Sequence, residues 1–338
     1  MFLENVHNFR TVAIFGIVGA HSLHNFDWPR SDLEFRIFDS LFNQSSIWFF
    51  FIAGFLFQHL SGRYESNKYF ISKIKNVICP YIFLSIPAIY ASMTFVQQEV
   101  PADFYDKPAI EQIVLFLITG KHLAPFWFVP TISLIYMMSP LLIRLDRAKW
   151  PYIFCIPLLA LSAYLGRDGI LDITQWGGYY SPVSKAVYLF SIYLLGMFCS
   201  RYRLEIMDFA PYTQWPLLVV GIGAYIIDVL EIDHSIHYIF VFKACTSILF
   251  VYYLEIFARA PLKKIAYLGT ASFGVFFVHG YFLAGIKIVN NYTWGGTTFP
   301  ANSLTYLVFM AVVVVISCAT LLVAQKILGS KSRLFVGA

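Results

Sequence analysis

Residues 10–24 read RTVAIFGIVGAHSLH: an arginine, ten residues without a charge, then histidines at 21 and 24. Whether this run is a membrane helix or a core helix of a soluble domain decides the fold. Composition settles it. Hydrophobic residues make up 59% of the 338 and charged residues 13%, against about 25% charged in soluble domains, and the mean hydropathy is +0.67. The chain reads as an all-α integral membrane protein, a single transmembrane bundle over 1–338 with no appended soluble domain expected, because no polar segment is long enough to fold alone.

Outward from that run, the preceding MFLENVHNFR carries Glu4 and one arginine with no cleavable-signal pattern, so the first helix is expected to be retained. At about 20 residues per crossing, spans fall near 9–26, 42–60, 77–97, 126–145, 151–167, 184–200, 214–231, 237–258, 268–289 and 303–327. That predicts ten helices. The stretch 109–120, AIEQIVLFLITG, is too short to cross and reads as interfacial or re-entrant. With the N-terminus inside, about two thirds of the 24 lysines and arginines fall in inner segments, so both termini are expected to be cytoplasmic. The same census explains the net charge of +5 by topology and argues against a nucleic-acid partner. Five scattered cysteines without CxxC spacing point to neither a disulfide framework nor a metal site.

Ionisable groups inside hydrocarbon cost about 2.5–3.5 kcal/mol on insertion scales, so each is a functional candidate. His21 lies eleven residues beyond Arg10, about 16 Å along the helix, which is near the midplane. His279 sits twelve residues into the helix that starts at about Tyr267, at the same depth. Either imidazole is a base, a nucleophile, a ligand or a packing residue. Small residues Gly16, Gly19 and Ala20, with His24 one turn on, suggest a closely packed, cavity-facing surface around His21. His7 and His21 have a spacing that suits haem ligands, but no second helix carries a matching pair. The inner segment NKYFISKIKNVICPYIF (67–83) holds Lys73 and Lys75 in the densest cationic cluster; it reads as a positive-inside loop or as a phosphate site. Asp228 could orient an imidazole or face water, while Glu231 reads as a helix-end acid. Trp127, Trp176, Tyr179, Tyr180 and Trp294 stand at expected outer ends, as interfacial rings or as stacking surfaces for a ligand.

In order along the chain, NFRTVAIFGIVGAH, SIWFFFIAGFLF, the basic stretch before Pro80-Tyr81, FWFVPTISLIYMMSPLL and TASFGVFFVHGYF resemble the elements of the acyltransferase-3 family of membrane O-acyltransferases, over essentially the whole chain. Where that family has a serine, two arginines and a late tyrosine, this chain has Ala53, Lys73 with Lys75, and Phe277. The resemblance implies an O-acyltransferase of the bacterial inner membrane that uses an acyl-CoA, most often acetyl-CoA, as co-substrate, with no permanently bound cofactor. The acceptor is implied to be a hydroxyl of a surface glycan or a lipid-linked sugar. His21 becomes the expected catalytic residue, Arg10, Lys73 and Lys75 the expected acyl-CoA contacts, and His24, His279 and Trp127 supporting or acceptor-side residues. The rival class is a transporter or flippase of a lipid-linked glycan, which would be expected to show discontinuous helices and an internal repeat.

Overall fold

The computed structural model describes residues 2–169, 178–259, 266–296 and 298–338. Helix α1 (Phe2–Leu23) is followed by α2 (Leu33–Phe42) and α3 (Ser46–His59). Helix α4 (Ser66–Lys73) runs through a π-helical turn, Ile74–Ile78, into α5 (Cys79–Thr94). Next come α6 (Ala109–Thr119), α7 (Phe128–Met137), α8 (Ser139–Ala148), α9 (Cys155–Leu165) and α10 (Ser181–Arg201). The chain continues through α11 (Arg203–Leu230), α12 (Tyr238–Arg259), α13 (Ala266–Trp294), α14 (Ser303–Leu328) and the short α15 (Ser332–Val336). A two-residue parallel pairing, Phe26–Asp27 with Phe299–Pro300, ties the chain after α1 to the chain before α14.

Among the described residues six helices are long and apolar enough to cross a membrane, and eight if each of two bent pairs is one span. The protein is thus an all-α, multi-pass membrane protein. The difference from the expected ten lies in particular helices. The stretch expected to cross at 126–145 stops at Met137, because Pro140 has no N–H to donate back to the Tyr136 carbonyl and its ring suits the first turn of a new helix. Instead 109–119 pairs with 124–137 across a 70° bend, and 139–148 pairs with 150–165 across 99°.

Helix α1 itself is outside the count, because Asn8, Arg10 and His21 lower its hydropathy. It needs little lipid-facing surface: α2, α3, α12, α13 and α14 all pack on it, and Ala13, Ile14 and Val18 are fully buried. Lipid contact falls to helices such as α11 and α14, where Val219 is 70% and Val315 65% exposed. A helix so enclosed can carry these polar groups, because its solvent is protein.

Lipid gives little hydrophobic drive for helix association, so close backbone packing must supply it. Helices α3 and α10 meet at two glycines. A Cβ on Gly54 would lie 2.0 Å from the Tyr193 carbonyl oxygen, and one on Gly196 2.1 Å from that of Phe51. Mid-helix, Gly→Ala ordinarily stabilises by roughly 0.5–1 kcal/mol. Here the sign is expected to reverse: Gly54→Ala and Gly196→Ala should each destabilise by about 1–3 kcal/mol through overpacking, seen as a lower Tm in detergent. An unchanged or raised Tm would show that the two helices do not meet there.

Candidate active site

Helix α1 carries His21 and α13 carries His279, and the bundle brings their rings to a centroid distance of 5.5 Å at 42°. His279 is completely buried. Its Nδ1 lies 3.0 Å from the Val275 carbonyl oxygen; since that oxygen can only accept, Nδ1 is the protonated nitrogen of the neutral ring. The lone pair is left on Nε2, which is buried with no partner among the described residues. Such an orphan costs about 1–3 kcal/mol.

His122 provides the contrast. It too is buried, but its Nδ1 is bonded to the Phe116 carbonyl at 3.1 Å and its Nε2 to Ser85 Oγ at 2.8 Å. A histidine that only packs is satisfied on both nitrogens, and His279 is not. His21 is half-buried, and His279, His24, Arg167 and Lys287 are its charged or titratable neighbours. The glycines beside it do not face a cavity: a Cβ on Gly16 would lie 2.3 Å from Ser45 Oγ, and one on Gly19 2.8 Å from the Phe42 ring. They let α2 and α3 come close enough to hold the His21 turn.

Toward the Arg10 end of α1 the bundle encloses a cavity of about 820 Å³ lined by Arg10, Lys73 and Arg333, with Arg63 and Lys68 at its mouth. That volume suits a large ligand. Lys68 is neutralised by Glu65 at 2.8 Å. Among the described residues no carboxylate pairs with Arg10, Lys73 or Arg333. Lys73 instead lies over two rings, Tyr136 at 4.3 Å and Tyr69 at 5.0 Å from their centroids. These three cations around one space, without an ion-pair partner among the described residues, leave room for an anion to enter.

Lys75 does not share this site; it is exposed and does not line the cavity, since residues two apart on a helix face opposite ways. Ala53 and Phe128 form part of the cavity wall. Phe128 touches Phe276 at 5.0 Å, and the Phe276 ring lies 6.2 Å from that of His279. One aromatic partition therefore separates the cationic chamber from the histidine pair. Phe277, fully buried, stands edge-on to Phe126 at 5.7 Å and contributes packing where a tyrosine would offer a hydroxyl.

At the other end of α1, His24 is exposed and lines a second cavity, of about 610 Å³. Arg10 and His24 are fourteen residues apart, about 21 Å along the helix, so the two cavities lie at opposite ends of it with His21 between. Asp228, lining the second cavity, accepts a hydrogen bond from Ser40 Oγ at 2.5 Å, and Glu231 pairs with Arg36 at 3.3 Å. Trp127 reaches neither cavity; Lys185 Nζ covers one face of its ring at 4.7 Å. Tyr179 donates to Asp103 at 3.2 Å, while Tyr180 is exposed. Trp176 and the Trp294 side chain lie outside the described residues.

Arg333, Tyr69 and Tyr136 are the site residues the sequence did not single out. Arg333 arrives from the far C-terminal end, in a helix of five residues. The tyrosines are indistinguishable in sequence from the other aromatics. A family model described as an acyltransferase domain, acyltransferase-3, matches residues 3–323. No curated protein and no solved structure matches the chain significantly.

Proposed function

The chain belongs to the acyltransferase-3 family and is a membrane acyltransferase; we propose that it moves an acyl group, most simply acetyl, from acyl-CoA on the cytoplasmic side to a hydroxyl of a surface glycan or lipid-linked sugar. In this reading it sits in a bacterial inner membrane with both termini inside. The observation that carries it is the placing of the His21–His279 pair between a cationic cavity at one end of α1 and a separate polar cavity at the other. Arg10, Lys73 and Arg333 hold the phosphates of CoA. The thioester passes the Phe128–Phe276 partition toward His21.

There His21 acts as general base. It takes the proton of the acceptor hydroxyl as that oxygen attacks the thioester carbonyl; the C–S bond breaks, and the thiolate leaves with the proton that His21 returns. For this the proton-accepting nitrogen of His21 must be unprotonated and the other protonated. The free Nε2 of His279 suits the task of accepting from that second N–H, which fixes tautomer and ring orientation. His279 is thus a positioning residue. His279→Ala is expected to lower kcat by roughly 10- to 100-fold, the worth of a strong buried hydrogen bond, with KM for acyl-CoA unchanged; a change in KM alone would remove it from this role.

The test of the function is incorporation of label from acetyl-CoA into glycan by membranes containing the protein. A flippase or transporter would move glycan and incorporate none, so an unlabelled glycan pool alongside translocated glycan would overturn the proposal.

A further inference from the structure

The second cavity has no part in the reaction as written beyond lying next to His21. Its lining is specific in kind. Asp39, Asp228, Glu231 and Asp233 contribute four carboxylates, against the guanidiniums of Arg30 and Arg36, and Trp28 and Phe35 supply ring surface. The charges are not arranged to cancel. Glu231 is paired with Arg36, and His24 and Arg30 are charge neighbours of Asp39, but among the described residues the hydrogen bonds to Asp39 and Asp228 come only from neutral donors, Asn43 and Ser40. Asp233, in the loop after α11, accepts from the hydroxyls of Ser235 and Tyr238, which hold its carboxyl down at about 2. Lys243 lies behind this wall and does not line the cavity; it is fully buried and donates to the Leu41 carbonyl.

Donors line the same space: Arg30, His24, His234 and His237. The cavity therefore offers carboxylate acceptors, cationic and imidazole N–H donors and an aromatic face. A polyol hydroxyl both donates and accepts, and the C–H face of a sugar ring lies flat on indole. A free carboxylate on the ligand would meet Asp39 and Asp228, and like charges brought together with little water between them repel strongly.

We infer that this cavity is the acceptor-binding site and that it takes a neutral or amino-bearing sugar in preference to an acidic one such as a uronic or sialic acid. The inference rests on the acyl-transfer reading above and adds the acceptor class. His24, one turn from His21, borders the same cavity, so a hydroxyl of a sugar bound there stands at the outer end of the catalytic turn. Its position also explains why the charge of the two cavities differs in sign: one receives a polyphosphate, the other a glycan.

The test is equilibrium binding, by saturation-transfer NMR, of methyl glycosides of glucose, N-acetylglucosamine, glucosamine, glucuronic acid and sialic acid to the full-length protein in nanodiscs. The neutral and amino glycosides are expected to bind, with the two acidic ones at least tenfold weaker. Trp28→Ala should abolish the signal. Asp39→Asn and Asp228→Asn, which keep shape and hydrogen bonding, should reduce the discrimination against the acidic sugars severalfold.

Equal binding of the acidic glycosides, no binding of any glycoside, or binding indifferent to all three substitutions would overturn the inference. His21-dependent labelling of membrane glycan from acetyl-CoA is measured on the same preparations. If labelling persists while binding behaves in one of those ways, only the acceptor site is wrong; if labelling itself is absent, the reading beneath it falls as well.

Discussion

His21→Ala is expected to lower acyl transfer by roughly 10²–10⁴-fold, the usual worth of a positioned general base, while the protein remains folded in the membrane. The structural cost should be small. His21 is half-buried, and among the described residues no hydrogen bond joins its ring to the rest of the bundle, unlike the satisfied His122. The packing of its turn depends on Gly16 and Gly19 instead. Retained activity in a well-folded His21→Ala protein would sink the assignment. The same enzyme distinguishes base from nucleophile. An acyl-histidine route releases one CoA per wild-type molecule before any acceptor is added, whereas a general base releases CoA only with acceptor present.

How far this site could be read from sequence depends on which neighbours are local. The depth of His21 follows from counting residues along one helix, and the matching depth of His279 from counting along another. Their meeting could not be counted, because it depends on which faces α1 and α13 turn to each other. The free Nε2 of His279 is equally invisible to sequence: it follows from the Val275 carbonyl claiming Nδ1 while no described residue claims the other nitrogen.

Helical geometry could have separated Lys73 from Lys75 beforehand, since an i, i+2 pair cannot line one wall. The membrane class was legible in composition, but hydropathy fails where function is densest. Helix α1 is central and carries the polar groups, so it is least like a lipid-facing span, and the breaks at Met137 and Lys149 depend on turns that a window average smooths over. The second cavity was legible only as His24, Asp228 and Glu231 taken singly. Its other acids come from α2 and the loop after α11, and only the fold shows that they share a space.

The remaining large effect concerns the cationic chamber. Lys73→Ala, Arg10→Ala and Arg333→Ala are each expected to raise KM for acyl-CoA by roughly 10- to 150-fold, since a hydrogen bond to a charged group contributes about 1.5–3 kcal/mol. Lys75→Ala should leave KM within error. A positive-inside role alone would predict the reverse pattern of indifference: any of these charges could then be exchanged for another, and Lys75 would matter as much as Lys73. The rings sharpen the comparison. Lys73 lies over Tyr136 and Tyr69, which hold a cation without neutralising it, so Tyr136→Leu should weaken acyl-CoA binding less than Lys73→Ala and in the same direction. Free CoA provides the control, because it carries the same phosphates without the acyl group. If the chamber recognises phosphate, the inhibition constant of CoA must rise in step with KM for acyl-CoA across Lys73→Ala, Arg10→Ala and Arg333→Ala. A rise in KM with CoA inhibition unchanged would place those cations on the acyl end instead, and an effect of Lys75→Ala equal to that of Lys73→Ala would return the whole cluster to topology.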